Sequence, residues 1–219
     1  MNFKGAIFDM DGTLVDSLIL WDVLWREFGK MYLNDETFRP SEEDDKAVRT
    51  LTLKDAMQLI HKNYSIGESG NQLLSHSNKL MLNFYSEKVE MKNGAKEFLE
   101  YCHKNGVIMC IASATSPDLI KLALKHCDIE KYFLKIFSCA DVGAGKEKPD
   151  VFLKAQQFLG TEIHETCVFE DSLVAIKTAN KTGFKTVGIY DRYNFGQEEI
   201  KKTADIYIDK GETLIKIVK

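Results

Sequence analysis

Hydrophobic and polar positions alternate in two different patterns along this chain. Short apolar runs bounded by polar or turn residues predict four buried strands, at 6–8, 107–112, 167–169 and 186–190. Weaker runs of the same kind predict two further strands, at 137–139 and 205–208. The later runs alternate with helical patterns of about ten residues, which favours a parallel sheet covered on both faces and hence an α/β fold.

The stretch 16–89 has a different pattern, which contains helices and no convincing strand. Its first helix carries an apolar stripe at three- and four-residue spacing, and Ser17 is placed to cap it. Two later helix starts resemble capping boxes, Ser-x-x-Asp at 41–44 and Thr-x-x-Asp at 52–55. We therefore predict a helical insertion after the first strand.

This insertion divides the chain into two predicted domains. Residues 1–15 and 90–219 are predicted to form one discontinuous α/β core, and residues 16–89 a separate helical domain. The first strand then shares a sheet with the later ones, so that the core is built from both ends of the chain.

Composition excludes several classes of protein. The 219 residues are 44% hydrophobic and 28% charged, as in ordinary globular proteins, and the net charge of -4 does not favour binding to nucleic acid or an anionic membrane. No apolar run approaches the roughly 20 residues of a membrane helix, and the first residues lack a signal-peptide pattern. Five scattered cysteines favour free thiols in a reducing compartment. We expect a cytoplasmic protein, with a monomer as the default state.

Polar side chains follow the predicted strands at the points where the strands end. They are Asp9 and Asp11 after the first strand, Ser113 after the second, Glu170 and Asp171 after the strand at 167–169, and Lys146 and Lys148 in a nearby loop. Ligands of open α/β sheets bind at the carboxyl ends of the strands. Four carboxylates at this edge favour a divalent cation, most simply Mg²⁺, and a lysine with a serine favours a phosphate group. Together they indicate phosphoryl transfer.

The motifs that carry these residues resemble those of the haloacid dehalogenase superfamily. Asp9-Met10-Asp11-Gly12-Thr13, Ser113, Lys146 and Glu170-Asp171 stand in that superfamily's order and spacing. The chain is most similar to its phosphatase and β-phosphoglucomutase-like branch. The resemblance implies a Rossmann-like sheet core with an inserted α-helical cap. It also implies a magnesium-dependent phosphatase of a small phosphorylated metabolite, such as a sugar or polyol phosphate.

The resemblance also implies roles for individual residues. Asp9 attacks phosphorus and forms an aspartyl-phosphate, while Asp11 serves as acid and base and binds Mg²⁺ through its backbone carbonyl. Ser113 and the N–H group of Ala114 hold a phosphoryl oxygen, and Lys146 neutralises charge on Asp9 and the phosphoryl group.

Two assignments within these motifs have alternatives. The loop of related proteins reads Lys-Pro-x-Pro-Asp, whereas this chain has Lys146-Glu147-Lys148-Pro149-Asp150. Counting back from Asp150 selects Lys146 over Lys148 as the catalytic lysine. Asp171 is implied to bind the metal beside Asp9, and Glu170 is either a further ligand or a carboxylate that orders the site.

Candidate substrate contacts lie in the predicted cap. Arg49 falls in a turn between two helices where related enzymes place substrate-contacting residues, although a solvated surface arginine fits equally well. Trp21 is either a cap core residue or part of the cleft lining. Sugar phosphomutases of this branch carry a histidine twelve residues after the nucleophile, where this chain has Trp21. This difference favours a phosphatase over the alternative, a phosphomutase. A regulator that binds phosphate or metal without turnover is a second alternative, from a different class of function.

Overall fold

The computed structural model describes residues 3–49 and 51–218. They divide into two compact units. One lies within Ile19–Glu87, and the other combines the described parts of Met1–Leu18 and Lys88–Lys219. We call the first the helical unit and the second the sheet unit. The further assignment of these units as a cap and a catalytic core, with boundaries at 15/16 and 89/90, stays a prediction.

The sheet unit is built on one parallel sheet, in which the described residues form six strands. They are β1 (Gly5–Phe8), β2 (Ile108–Ser113), β3 (Ile136–Ser138), β4 (Thr166–Glu170), β5 (Lys185–Ile189) and β6 (Ile206–Ile208). Their order across the sheet is β3-β2-β1-β4-β5-β6. The predicted α/β fold with a helical insertion between the first two strands is confirmed, and both weakly predicted strands are present.

β1 lies in the middle of this sheet, and its four residues are all buried. Phe8 pairs in register with Ile111 of β2 on one side and with Phe169 of β4 on the other. The next residue, Asp9, donates its backbone N–H to the carbonyl oxygen of Phe169 at 3.0 Å. The carboxyl ends of β1, β2 and β4 therefore come side by side, which places the residues that follow these strands at one edge.

The described residues of the helical unit form helices joined by turns and no strand, as the apolar spacing predicts. They are α1 (Leu20–Phe28), which continues into a π-helical segment (Gly29–Leu33), then α2 (Glu42–Val48), α3 (Leu53–Tyr64) and α4 (Gly70–Glu87). Two of the three predicted capping residues are confirmed, because Ser41 accepts a hydrogen bond from the N–H of Asp44, and Thr52 from that of Asp55.

Ser17 does not cap the first helix, so this prediction is wrong. α1 begins at Leu20, and the residue before it, Ile19, has helical backbone angles and makes no side-chain cap bond. The Ser17 hydroxyl instead donates a hydrogen bond to the Asp11 carboxylate at 2.6 Å. The hydroxyl that could cap the helix is thus taken by an acceptor six residues earlier in the chain.

Helices cover the sheet in the rest of the sheet unit. They are α5 (Ala95–Lys104), α6 (Pro117–His126), α7 (Cys139–Val142), α8 (Asp150–Leu159), α9 (Leu173–Thr182) and α10 (Gln197–Thr203). Single 3₁₀ turns lie at Glu130–Tyr132, Ile163–Glu165 and Leu214–Ile217. Among the described helices, none is both long enough and apolar enough to span a membrane.

Apolar side chains fill both faces of the central strands. Phe8 stacks on Phe169 with ring centroids 4.3 Å apart, and Phe98 of α5 packs against both rings. Ile7 belongs to a separate buried cluster that includes Phe152 of α8. Because side chains alternate across a strand, neighbours such as Ile7 and Phe8 enter opposite cores and hold the end of β1 rigidly.

Candidate active site

Three buried carboxylates lie together where β1 and β4 end. Asp9 directly follows β1, Glu170 is the last residue of β4, and Asp171 is the next one. One carboxylate oxygen from each residue lies within 4.8 Å of the other two. We call these three residues the carboxylate cluster. Its formation follows from the sheet register, since adjacent parallel strands deliver their next residues to the same place.

The pKa of Asp9 shows how unfavourable this concentration of charge is. Burial raises the pKa of Asp9 to about 7, because desolvation disfavours the ionised carboxylate. The positive charge of Lys146 acts in the opposite direction, while the negative charges of Glu170 and Asp11 raise the pKa further. Asp9 thus lies in a place where an additional cation would stabilise its ionised form.

The same holds for Asp171, and its surroundings fit a magnesium ion. Burial raises the pKa of Asp171 well above its ordinary value, and the charges of Asp9, Glu170 and Asp191 add to the effect. Carboxylate oxygens are the hard ligands that Mg²⁺ prefers. The donor set of the carboxylate cluster therefore fits Mg²⁺, and the cluster can bind a metal.

These raised pKa values predict that Mg²⁺ stabilises the protein more near pH 8 than near pH 5. An unfolded aspartate has a pKa of about 4, whereas that of folded Asp9 is about 7. The stability that Asp9 contributes in its protonated form is therefore lost as the pH rises from about 4 through about 7. Mg²⁺ bound to the ionised cluster would offset this loss. We expect the rise in Tm on adding saturating Mg²⁺ to be larger by at least about 3 °C near pH 8, measured by scanning fluorimetry against EDTA.

The variant Asp9→Asn is the control for this pH effect, because it removes the titrating carboxyl. The difference between the two pH values should shrink in this variant. A wild-type shift in Tm that is equal at both pH values would contradict the role assigned to the raised pKa.

Lys146 lies against the carboxylate cluster, whereas Lys148 does not take this place. The Lys146 ammonium donates hydrogen bonds to Oδ1 of Asp9 and to Oε1 of Glu170. Burial acts to lower the pKa of Lys146, but the two carboxylates outweigh burial and raise the pKa above its ordinary value. Lys148 is exposed. Of the two lysines left open by the sequence, Lys146 is thus the one in contact with Asp9, and its catalytic role stays a prediction.

Glu170 is held by this lysine and by its own loop. Its second carboxylate oxygen, Oε2, accepts a hydrogen bond from the backbone N–H of Ser172 at 3.1 Å. Each of its two oxygens therefore has a donor. This arrangement suits both interpretations of Glu170, as a metal ligand and as a carboxylate that orders the site.

The Asp11 carboxylate is held between two hydroxyl groups. Its Oδ1 accepts a hydrogen bond from Ser17 at 2.6 Å, and its Oδ2 accepts one from Thr115 at 2.7 Å. Ser17 follows β1, and Thr115 follows β2, so two different segments of the sheet unit orient this carboxyl group. Sequence reasoning did not identify Thr115. A signal was available, since Thr115 is a second hydroxyl residue two positions after Ser113 in the same strand-end loop.

Gly12 allows the backbone to turn directly after Asp11. Its φ is +78°, which L-residues with a side chain rarely adopt. A Cβ atom at this position would also lie 2.2 Å from Oδ2 of Asp171. The glycine is therefore required both for the conformation of the turn and for the close approach of Asp171.

Ser113 is the last residue of β2, the strand next to β1. It is buried, and its hydroxyl oxygen accepts a hydrogen bond from the N–H of Thr115 at 3.1 Å. Ala114 is exposed at the start of the loop that leads into α6. A serine hydroxyl and backbone N–H groups before a helix suit a phosphoryl oxygen. The assignment of Ser113 and Ala114 to that oxygen stays a prediction.

Asp171 is also oriented by neighbours. Thr13 donates to its Oδ1 at 3.2 Å, and the Asn194 side-chain amide donates to its Oδ2 at 2.8 Å. Asn194 lies 23 positions further along the chain, in the loop after β5. Sequence reasoning missed this residue, because a single asparagine in a loop carries no recognisable signal.

Within the helical unit, the structure brings Trp21 and Arg49 together. The Arg49 guanidinium lies 5.9 Å from the centroid of the Trp21 ring. It also pairs with Asp45 at 2.9 Å, and Asp45 in turn accepts a hydrogen bond from Trp25 at 2.8 Å. Arg49 is thus held in one orientation by a charged and an aromatic neighbour. That it and Trp21 contact a substrate stays a prediction.

Comparison with known proteins places this chain in a family. The model of the family described as haloacid dehalogenase-like hydrolase matches residues 6–189, a range that includes every predicted site residue. Phosphorylated carbohydrates phosphatase of Thermotoga maritima is 23% identical over 218 residues, which cover 99% of this chain and 98% of that protein. Glycerol-1-phosphate phosphohydrolase 2 of Saccharomyces cerevisiae is 23% identical over 227 residues, which cover 98% and 85%.

A solved structure has the same fold as this chain. The crystal structure of a candidate β-phosphoglucomutase from Thermotoga maritima superimposes with a TM-score of 0.81 at 22% identity. The match covers 98% of each chain, so it includes both the sheet unit and the helical unit. The family match over residues 6–189 shows that the protein belongs to the haloacid dehalogenase-like hydrolase family and is an enzyme.

Proposed function

We propose that this enzyme is a magnesium-dependent phosphatase that hydrolyses a small phosphorylated metabolite of the sugar or polyol phosphate class. One observation carries the proposal: Asp9 is a buried carboxylate at the end of the central strand, with Lys146 on one oxygen and two further carboxylates beside it. Such a group has the charge and the rigid placement that a nucleophile toward phosphorus needs.

In the first half of the proposed reaction, Asp9 displaces the alcohol part of the substrate. A carboxylate oxygen of Asp9 attacks phosphorus, and the bond from phosphorus to the ester oxygen breaks with its electron pair on that oxygen. Asp11 donates its carboxyl proton to the leaving oxygen. Ser17 and Thr115 hold Asp11 for this transfer, because each hydroxyl restrains one of its oxygens.

In the second half, water releases the phosphate. The water oxygen attacks phosphorus of the aspartyl-phosphate, and the Asp11 carboxylate accepts a proton from that water. The bond between phosphorus and the Asp9 oxygen then breaks. This step returns the Asp9 carboxylate, the protonated Asp11 carboxyl and inorganic phosphate, so that the cycle is complete.

Charge on the phosphoryl group is balanced from two sides in this mechanism. Lys146 supplies a fixed positive charge, and the Ser113 hydroxyl and the Ala114 N–H donate hydrogen bonds to a phosphoryl oxygen. Asp9, Asp171, the Asp11 carbonyl and Glu170 would hold Mg²⁺. The chemistry that Mg²⁺ supplies there is neutralisation of charge on the phosphate and polarisation of a phosphoryl oxygen.

The substrate class is supported by the names of two relatives and by the helical unit. The relatives from Thermotoga maritima and Saccharomyces cerevisiae are named for phosphorylated carbohydrates and for glycerol 1-phosphate. A sugar or polyol presents hydroxyl groups and apolar ring or chain edges. The N–H donors of Arg49 can bind the hydroxyl groups, and the neighbouring Trp21 ring can pack against the apolar edges.

The test of the proposed function is phosphate release with and without the metal. We expect an aryl phosphate such as p-nitrophenyl phosphate to be hydrolysed with Mg²⁺ and not with EDTA. A panel of phosphorylated metabolites ranked by kcat/KM should place a sugar or polyol phosphate first. Conversion of a hexose 1-phosphate into its 6-phosphate with little free phosphate would instead identify a phosphomutase. No release from the aryl phosphate or from any member of the panel would favour a binding protein without turnover.

Arg49→Ala tests the proposed substrate contact. We expect kcat/KM for the preferred metabolite to fall by about tenfold or more, because hydrogen bonds to charged groups contribute about 1.5–3 kcal/mol. Hydrolysis of the aryl phosphate should change little, since that substrate lacks the hydroxyl groups. The matched control is Arg39→Ala, which removes an exposed arginine of the same unit. Equal losses on both substrates would contradict a role in substrate choice, and Tm measurements would show whether the Asp45 pair matters for folding.

A further inference from the structure

The side chain of Asn194 makes two hydrogen bonds to a single residue, Asp171. Its Nδ2 donates to Oδ2 of Asp171 at 2.8 Å and to the backbone carbonyl oxygen of Asp171 at 2.7 Å. Its amide oxygen accepts the N–H of Phe195 at 2.9 Å. Both amide hydrogens therefore face acceptors and the amide oxygen faces a donor, so that only one orientation of the amide satisfies all partners.

These two bonds fix Asp171 more firmly than either would alone. One rigid amide contacts both the backbone and the carboxylate of Asp171, and it thereby restrains the rotation of the side chain between them. Thr13 restrains the other carboxylate oxygen at 3.2 Å. The geometry thus leaves the Asp171 carboxylate in a single orientation toward Asp9 and Glu170.

The donors on Asp171 also differ chemically from the donor on the other two carboxylates. Asp9 and Glu170 share the ammonium of Lys146, which cancels part of their charge. Asp171 receives hydrogen bonds from a neutral amide and a neutral hydroxyl, which orient it without cancelling its charge. Both side-chain donors on Asp171 are therefore neutral groups that orient its carboxylate, and carboxylate oxygens are ligands that divalent cations prefer.

The loop that carries Asn194 is itself held by a buried ion pair. The Asn194 N–H donates to the carbonyl oxygen of Asp191 at 3.2 Å. The Asp191 side chain is fully buried, accepts the N–H of Tyr193 at 2.8 Å and pairs with the Lys92 ammonium at 2.5 Å. The position of Asn194 is therefore set by interactions inside the sheet unit and not by solvent.

We propose that Asn194 is a positioning residue that holds Asp171 ready to bind a divalent cation, and that the Lys92–Asp191 pair holds the loop in place for it. This inference rests on the magnesium site of the proposed function. Outer partners of metal ligands typically change metal affinity by about 10- to 100-fold when they are removed, because they orient the ligand. The effect belongs to metal binding and not to the chemical step.

The test compares Asn194→Ala and Asn194→Leu with the wild type in a titration with Mg²⁺ alone, followed by Tm and by calorimetry. Leucine keeps the shape of asparagine without its donors, and Asn194 lies half-buried on a loop, so both variants are expected to fold. We expect the apparent Kd for Mg²⁺ to rise by about 10- to 100-fold, with a Tm in EDTA close to that of the wild type. The matched control is Arg192→Ala, which removes an exposed side chain of the same loop and should leave the Kd unchanged.

Kinetics supply a second readout. In the Asn194 variants, most of the wild-type kcat should return at high Mg²⁺, because only the occupancy of the metal site has changed. A Kd equal to that of the wild type would overturn the inference, as would a lower Tm in EDTA without any change in Kd. It would also be overturned if the wild type itself bound no Mg²⁺. Wild-type protein that binds Mg²⁺ and yet releases no phosphate from any substrate would overturn only the proposed function.

Discussion

Asp9→Asn is expected to abolish phosphate release, with a loss in kcat of at least about 10³-fold on every substrate of the wild type. An amide oxygen is a poor nucleophile, and asparagine also removes one negative charge from the carboxylate cluster. Phosphate release is measured in the presence of saturating Mg²⁺. Wild-type enzyme quenched during turnover should also yield a peptide that contains Asp9 and carries one phosphoryl group, detected by mass spectrometry.

The Tm of Asp9→Asn shows whether its loss of activity is caused by unfolding. Because burial is the main cause of the raised pKa of Asp9, a neutral amide of the same shape avoids that cost. The Tm of Asp9→Asn in EDTA near pH 8 is therefore expected to be no lower than that of the wild type. The control is Asp150→Asn, since Asp150 is an exposed acidic residue at the start of α8. A loss in kcat of less than about tenfold in Asp9→Asn would show that the mechanism is wrong.

Lys146→Ala is expected to lower kcat/KM by about 10²- to 10³-fold, the usual cost of removing one preorganised charge-stabilising group. Lys146 contacts both Asp9 and Glu170, so its loss removes the positive charge that offsets these two carboxylates. Raising the Mg²⁺ concentration should not restore kcat, because the missing charge acts on the phosphoryl group itself. Lys148→Ala is the matched control and should keep nearly full activity, since Lys148 is exposed.

Removal of Lys146 should also destabilise the protein. Breaking a buried ion pair by deleting one partner typically costs about 3–5 kcal/mol, because the other charge stays buried without compensation. The Tm of Lys146→Ala in EDTA near pH 8 should therefore fall, and Mg²⁺ should recover more of it than in the wild type. The assignment of the two lysines would be reversed if Lys148→Ala lost activity while Lys146→Ala kept it.

Lys146→Arg extends this test to the shape of the cation. Arginine keeps the charge but presents a wide planar group in place of a compact ammonium. The space between Asp9 and Glu170 is filled by one nitrogen atom that donates to both. We expect Lys146→Arg to regain little of the lost activity and more of the lost stability, measured by kcat/KM and Tm.

Much of the fold follows from short-range patterns in the sequence. The apolar run that ends at Phe8 forms a buried strand because four successive apolar or small residues before two aspartates fit no amphipathic helix. The caps at Ser41 and Thr52 were predictable because each bond joins residues three positions apart. α10, in contrast, has mostly polar residues with one buried apolar position, Ile200, and its pattern gave no prediction.

The carboxylate cluster was also predictable in its membership, and for a similar reason. Asp9 and Glu170 each stand at the end of a recognisable buried strand, and neighbouring parallel strands bring their ends together. For the cluster to form, β1 and β4 must also lie side by side in the sheet. That condition is supplied by the topology of the sheet, in which β4 pairs directly with β1.

By itself, the sequence determined the strands, most helices, the acidic edge of the sheet and the family resemblance, because these depend on residues close together in the chain. Only the tertiary structure decided which partner each polar side chain takes. In the folded structure, Lys146 and not Lys148 donates a hydrogen bond to Asp9, and Ser17 donates one to Asp11 instead of capping a helix. The tertiary structure also brought Asn194 to Asp171 across 23 positions of sequence. Contacts between residues so far apart in the chain depend on the geometry of the folded loops and on burial. They therefore cannot be predicted from the spacing of neighbouring residues in the sequence.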